Sequence, residues 1–169
     1  MKQAYQFGHT KLLLALTIIF ATLFACNTSK KDTKVEDNIK FYSHTWDAVI
    51  NEGRINLLDT AFSPDIVLHT SPTEIQGIDS AKRYYANYVT GFSNRQFTVK
   101  DIFGQGDKLV KFWEFKGTHT GDFFGIKPTG KTVDVIGATI TRIVNGKIVE
   151  ERDFFDNLEF MQQLGLIPR

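Results

Sequence analysis

Ile143-Val144-Asn145-Gly146-Lys147-Ile148 places two residues that tolerate positive φ between two β-branched arms, which predicts a tight hairpin and antiparallel pairing. Upstream, Thr132 to Val144 reads as one long strand. Leu109 to Lys116, carrying Phe112, Trp113 and Phe115, precedes it, and Phe97, Val99 and Phe103 alternate before a turn at Gly106-Asp107. Downstream, Lys147 to Asp156 continues as a strand, and Leu158 to Leu164 suggests a closing helical turn ahead of Gly165 and Pro168. The amino-terminal half has the other period: Ile39, Tyr42, Trp46, Val49 and Ile50 recur at helical spacing up to Gly53, and Ile55 to Phe62 suggests a shorter helix. Pro64 imposes extended geometry, Asp65 to His69 reads as a short strand, and Asp79 is a candidate N-cap for a helix bearing Ala81, Tyr84, Tyr85, Tyr88 and Val89. Helices first and long strands afterwards predict an α+β fold, with helices on one face of a curved antiparallel sheet enclosing a cone-shaped pocket.

The chain has 169 residues, enough for one domain plus a leader, and its 15 Phe, 5 Tyr and 2 Trp either fill a core or line an apolar pocket. Residues 1–25 contain Lys2, Lys11 and no acid, which leaves 18 basic against 19 acidic residues in the remainder. Nucleic-acid binding is not expected, since it needs Lys and Arg massed on one surface and here they alternate with Asp and Glu. The basic start followed by the apolar run Leu12 to Ala25 has the proportions of a signal peptide and is short for a spanning helix. It ends in Leu23-Phe24-Ala25-Cys26, which resembles a bacterial lipobox, so residues 1–25 are expected to be a lipoprotein signal and Cys26 the lipidated residue. The alternatives are an ordinary secretory signal and an uncleaved anchor. The resulting expectation is an exported protein held at a membrane through a lipid anchor only, with 26–34 as a flexible tether and 35–169 as the folded domain. Cys26 is the only cysteine, so the domain has no internal disulfide.

Gly125-Ile126-Lys127-Pro128-Thr129-Gly130-Lys131-Thr132 satisfies the phosphate-loop pattern, but that motif must open a helix. Thr132-Val133-Asp134-Val135-Ile136 is β-branched and alternating, and Pro128 lacks an amide donor, so the stretch is read as a turn between strands. The same segment carries a family resemblance. Gly117-Thr118-His119-Thr120-Gly121, Gly125 to Lys131, Arg142-Ile143, Gly146-Lys147-Ile148-Val149-Glu150-Glu151, Asp156-Asn157-Leu158 and Gln163-Leu164-Gly165 run in this order. With Asp65, His69 and Gly77 before them, they resemble the SnoaL-like ester and polyketide cyclase family from Trp46 onward. The resemblance implies the cone-shaped fold of nuclear transport factor 2-like proteins. It also implies a cofactor-free, metal-free aldol closure or isomerisation of a small carbonyl compound, with a last-strand Asp as acid and base. The matching position is Asp156. Arg152 stands where many members have an aromatic residue, a departure that bears on whether flat polyketides are the ligands. Members often pair through their sheets, which leaves a homodimer open.

Read as a strand, Lys147 to Asp156 puts Ile148, Glu150, Arg152, Phe154 and Asp156 on one face and Val149, Glu151, Asp153 and Phe155 on the other. Either Asp153 or Asp156 therefore meets the pocket, where aromatic walls would raise a carboxyl pKa towards the range useful for proton transfer. The competing reading is that these acids pair with Arg142 or Arg152, or that Asp156 caps the closing helix. His69, at a strand end, is a candidate helper, and His119 a candidate substrate contact, each weighed against a hydrogen-bonded structural role. Trp46, Tyr85, Trp113 and Phe154, with Tyr42 and Phe112, are candidate pocket walls or core. No pair of His stands at metal-ligand spacing, so no metal is expected. A non-catalytic lipoprotein holding an apolar ligand in the same cavity is the alternative function.

Overall fold

The structure is a computed structural model that describes residues 29–168, with side chains from Thr33 onward. The leader, Cys26 and the start of the tether lie outside the described residues. Six strands form one sheet in the order β2-β1-β6-β5-β4-β3, where β1 is Phe62–Leu68, β2 Ile75–Gln76, β3 Phe92–Gln105, β4 Lys108–His119, β5 Thr132–Val144 and β6 Lys147–Phe155. The β5–β6 hairpin turns through Asn145 and Gly146 at φ 51° and 72°, as the residue pair predicts. Every pair is antiparallel except β1–β6, which is parallel. That exception arises because β1 reaches the edge of β6 from the helical half of the chain rather than through a hairpin.

Helix α1 is Ser29–Trp46, followed by a π-helical turn Asp47–Asn51, a 3₁₀ turn Ile55–Leu57 and the short α2, Leu58–Ala61. It begins inside the stretch read as tether: residues 29–34 are helical, and their lysines are good helix formers. Helix α3, Ile78–Gly91, follows β2, and α4, Asn157–Gln163, closes the chain. The α3 cap is Gly77 at φ 82°, not Asp79, which instead lies in the first turn, where its charge faces the positive helix end. Gly125 to Lys131 is loop and Thr132 opens β5, as the reading of a turn between strands expects and a phosphate loop would not.

The sheet buries one face against α1, α3 and α4. On β4 the inward residues are Leu109, Lys111, Trp113, Phe115 and His119, and on β5 they are Val133, Val135, Thr139, Thr141 and Ile143. The opposite face leaves Phe103, Phe112, Ile136, Ile140 and Phe154 exposed. Strand β6 does not alternate cleanly, because Arg142 pairs with Glu150 while Ile143 pairs with Ile148, making Val149 an extra, bulged residue. The bulge turns both Ile148 and Glu151 inward, so Ile148 does not share a face with Glu150, Arg152 and Phe154.

Gly137 sits opposite Trp113 in the β4–β5 ladder and opposite Phe155 in the β5–β6 ladder. A Cβ there would lie 2.3 Å from Trp113 Cζ2 and 2.7 Å from the Phe154 carbonyl oxygen, so the indole can lie across the strand only above a glycine. Gly137→Ala should therefore lower unfolding stability by about 1–3 kcal/mol in urea titration. The near-ultraviolet dichroism of Trp113 should change with it, and an unchanged midpoint would show that the ring is free to move aside.

Candidate active site

The helices and the inner sheet face enclose a cavity of about 60 Å³ walled by Trp46, Tyr85, Lys111, Trp113, Asp153 and Phe155, among others. A water needs about 10–15 Å³ on this measure, so the space admits a few waters or a small organic group. Its polar atoms lie on three adjacent strands. Lys111 of β4 pairs with Thr139 of β5, and Thr139 with Asp153 of β6, which sets the three residues in one row across the inner face. The Trp113 indole donates to Thr139 Oγ1 at 2.9 Å, and the Thr139 hydroxyl donates onward to Asp153 Oδ1.

One row along, Glu151 is buried and accepts the hydroxyls of Tyr42 from α1 and Tyr85 from α3, the latter at 2.8 Å. Burial drives its carboxyl up to about 7, against the pull of Lys111 and the two tyrosines. Burial also raises Asp153, opposed by Lys111, Thr139 and Tyr85. Lys111, equally buried, is lowered to about 8 by desolvation, with Glu151 and Asp153 partly restoring it. Both tyrosine hydroxyls are held well above their ordinary range, first by burial and then by Glu151, so they stay protonated and donate to its carboxyl. Glu151 and Lys111, at about 7 and about 8, thus titrate near neutrality on one wall, where burial also raises Asp153.

Residues 40–164 match the SnoaL-like polyketide cyclase family. The chain belongs to that family. TsrD from Streptomyces laurentii shares the fold at 24% identity and TM-score 0.70, over 78% of this chain and 97% of that one. A candidate SnoaL-like polyketide cyclase from Jannaschia sp. CCS1 does so at 24% identity and TM-score 0.68, over 79% and 95%. IdmH from Streptomyces antibioticus, a candidate polyketide cyclase, is 26% identical with TM-score 0.59, over 73% and 97%. The architecture is the nuclear transport factor 2-like cone, and no protein of curated function matches the chain.

Within this SnoaL-like framework the structure gathers Trp46, Tyr85, Trp113 and Asp153 at the cavity and leaves the other candidates outside it. Asp156 is the N-cap of α4: its carboxylate accepts from the Glu159 amide at 2.9 Å, and it is exposed. The Asp156-x-x-Glu159 spacing is that of a capping box, and the chain leaves the sheet before alternation can carry Asp156 to either face. Phe154 projects from the outer face, half exposed, as does Phe112, because each is one residue out of phase with the cavity wall. Arg152 also lies on the outer face, so its departure from the family pattern does not touch the cavity.

His69 belongs to a separate polar cleft of about 170 Å³ with Lys108, Arg142, Glu150 and Arg152. Its Nδ1 is 2.6 Å from Glu74 Oε1, and its Nε2 is 4.0 Å from Glu150 Oε2. His119 is fully buried against Phe92 and Phe123, and its Nδ1 accepts the Thr129 amide at 3.3 Å, which pins the 120–131 loop to the end of β4. Among the described residues no group of three or more His, Cys, Asp or Glu is placed to hold a metal ion.

The sequence reading did not single out Glu151 or Lys111. Lys111 had a signal: it is a charged residue at an inward position of the alternation Leu109, Lys111, Trp113, Phe115, where burial is the informative anomaly.

Because the folded Glu151 carboxyl has a higher pKa than the unfolded one, protonation favours the folded chain. Its contribution is present below about pH 4.5 and lost as pH rises through about 7. Between pH 5 and 7.5 the native chain should lose on the order of 1–3 kcal/mol relative to Glu151→Gln in urea titrations. Parallel profiles for the two proteins would mean that Glu151 is not the titrating group.

Proposed function

We propose that this SnoaL-like protein carries out cofactor-free acid–base chemistry on a small carbonyl compound, an aldol-type cyclisation or isomerisation, with Asp153 as the proton-transferring group. The observation that carries this reading is the position of Asp153: it borders the cavity, its charged form is disfavoured by burial, and its partner Thr139 holds one oxygen. A carboxyl whose pKa is raised is a stronger base towards carbon than an ordinary carboxylate and can give the proton back near neutral pH. Glu151 fixes Tyr42 and Tyr85 around the site and, raised to about 7, titrates near neutral pH. The indole N–H of Trp46, a cavity-wall residue, is buried with no partner at hydrogen-bond geometry among the described residues and is a candidate donor for a bound carbonyl oxygen. The candidate polyketide cyclases among the structural neighbours support the same reaction class.

We further propose that residues 1–26 direct export and lipid attachment at Cys26, on the basis of the basic start, apolar run and lipobox-like end. No helix among the described residues is long and apolar enough to cross a membrane. Cys26→Ser should move the protein from the membrane fraction to the soluble exported fraction of a bacterial host. Retention of the variant in the membrane fraction would refute lipid anchoring.

Proton transfer is read most directly as deuterium entry at the α-carbon of small ketones, from acetone to cyclohexanone, in D₂O by proton NMR. The native chain should exchange them faster than buffer, Asp153→Asn should lower the excess rate by about 10²–10⁴-fold, and Asp156→Ala should retain it. Ligand-induced quenching of tryptophan fluorescence without any exchange would instead indicate a binding protein.

A further inference from the structure

Lys111 is a buried cation without a counterion in contact. Its side chain is 3% exposed, and its ammonium lies 4.6 Å from the ring centre of Trp46, 4.8 Å from Tyr42 and 4.9 Å from Phe97. Among the described residues it has neither a hydrogen-bond acceptor nor a carboxylate at ion-pairing distance, only these ring faces. Glu151 and Asp153 act on it electrostatically from across β5, and Glu151 is already engaged by two tyrosines. The residue nonetheless borders the cavity, in the same row as Asp153.

Burying an ammonium costs several kcal/mol, which the three aromatic faces, at about 2 kcal/mol each when desolvated, offset without supplying a counterion. A leucine or methionine would fill the position at no such cost, since the flanking inward residues of β4 are Leu109, Trp113 and Phe115. A primary amine that touches no anion among the described residues, borders a small cavity and has an acid in the same row two strands away has the composition of a nucleophilic site.

We propose that Lys111 is a covalent catalyst that forms an imine with a small, neutral ketone or aldehyde in the cavity, using Asp153 as its proton donor and acceptor. This rests on the acid–base reading of Asp153 and names the substrate class for that site. The free amine adds to the carbonyl carbon, giving a carbinolamine. Asp153, in its acid form, protonates the carbinolamine oxygen, water leaves, and the nitrogen lone pair forms the C=N bond of an iminium. The Asp153 carboxylate then removes a proton from the α-carbon, and the C–H electron pair moves into the enamine while the nitrogen becomes neutral. Reprotonation and hydrolysis return the carbonyl compound and the amine, so no oxidant or metal enters the cycle.

Each part of the site has a task in this sequence. The three rings that hold the ammonium also face the iminium, which bears its positive charge at the same nitrogen. Desolvation, which brings Lys111 down to about 8, supplies free amine near neutral pH. The presence of two acids on one wall disfavours a second negative charge, which selects neutral carbonyl compounds over keto acids. The cavity of about 60 Å³ limits the carbon skeleton that fits beside the amine.

The test is reductive trapping on the full-length chain, with acetone and sodium cyanoborohydride at pH 8 and peptide mapping by mass spectrometry. Hydride addition to the iminium leaves an isopropyl group on the lysine. Lys111 should be labelled at least ten-fold faster than the exposed Lys100 and Lys127, and Asp153→Asn should slow labelling at Lys111 alone. Labelling of Lys111 no faster than of these two surface lysines would overturn the imine. Ketone deuterium exchange separates this proposal from the acid–base reading. Exchange that vanishes in a folded Lys111→Met protein supports the imine. Exchange that persists in Lys111→Met and still vanishes in Asp153→Asn overturns the imine and leaves the acid–base role of Asp153 standing.

Discussion

The carboxyl of Glu151 joins two helices to the sheet at one point. It projects inward from β6 and receives one hydroxyl from α1, through Tyr42, and one from α3, through Tyr85. All three groups are buried, so each depends on the others for the hydrogen bonds that water would otherwise supply. An apolar residue at 151 would leave two phenolic donors unsatisfied between the helices and the sheet. The mutual dependence fixes the depth at which both helices sit above the strands, and with it the width of the cavity.

The aromatic residues complete the enclosure. Trp46 and Tyr85 meet edge to face at 4.6 Å, and Phe92, Phe123 and Phe160 continue the contact between β3, the 120–131 loop and α4. Such pairs favour particular ring angles as well as burial, so the chamber has defined walls. Against them the charged groups form a small balanced set. Burial raises Glu151 and Asp153 and lowers Lys111, so the charged form of each group is disfavoured and the wall tends towards neutrality. A site with this property suits reactions in which a proton leaves and returns within one binding event. The sheet's outer face differs in kind: its acids and bases pair with one another at half-exposed positions, where such pairs add little.

Much of this was legible in the residues alone. The Asn145-Gly146 turn, the alternation of β4 and β5 and the helical spacing of the first half determined an α+β fold with a one-sided sheet, because these are local patterns that report the backbone period directly. The ordered motifs from Trp46 to Gly165 determined the family. Among the site residues, Trp46, Tyr85, Trp113 and Asp153 were named before the cavity was seen.

Only the tertiary structure decided which acid borders the cavity. The choice turned on the bulge at Val149, which shifts the phase of β6 and has no local signature, and on the exit of the chain at Asp156, whose carboxylate is taken up by the Glu159 amide as the capping-box spacing allows. The burial of Glu151 and Lys111 was likewise undecidable from composition, since a charged side chain in a strand is ordinarily solvated. What makes them interior is the arrival of Tyr42, Tyr85 and three aromatic faces from distant parts of the chain. Sequence sets the period of each element; the contacts between elements set which side chains lose water, and that loss brings their pKa values towards one another.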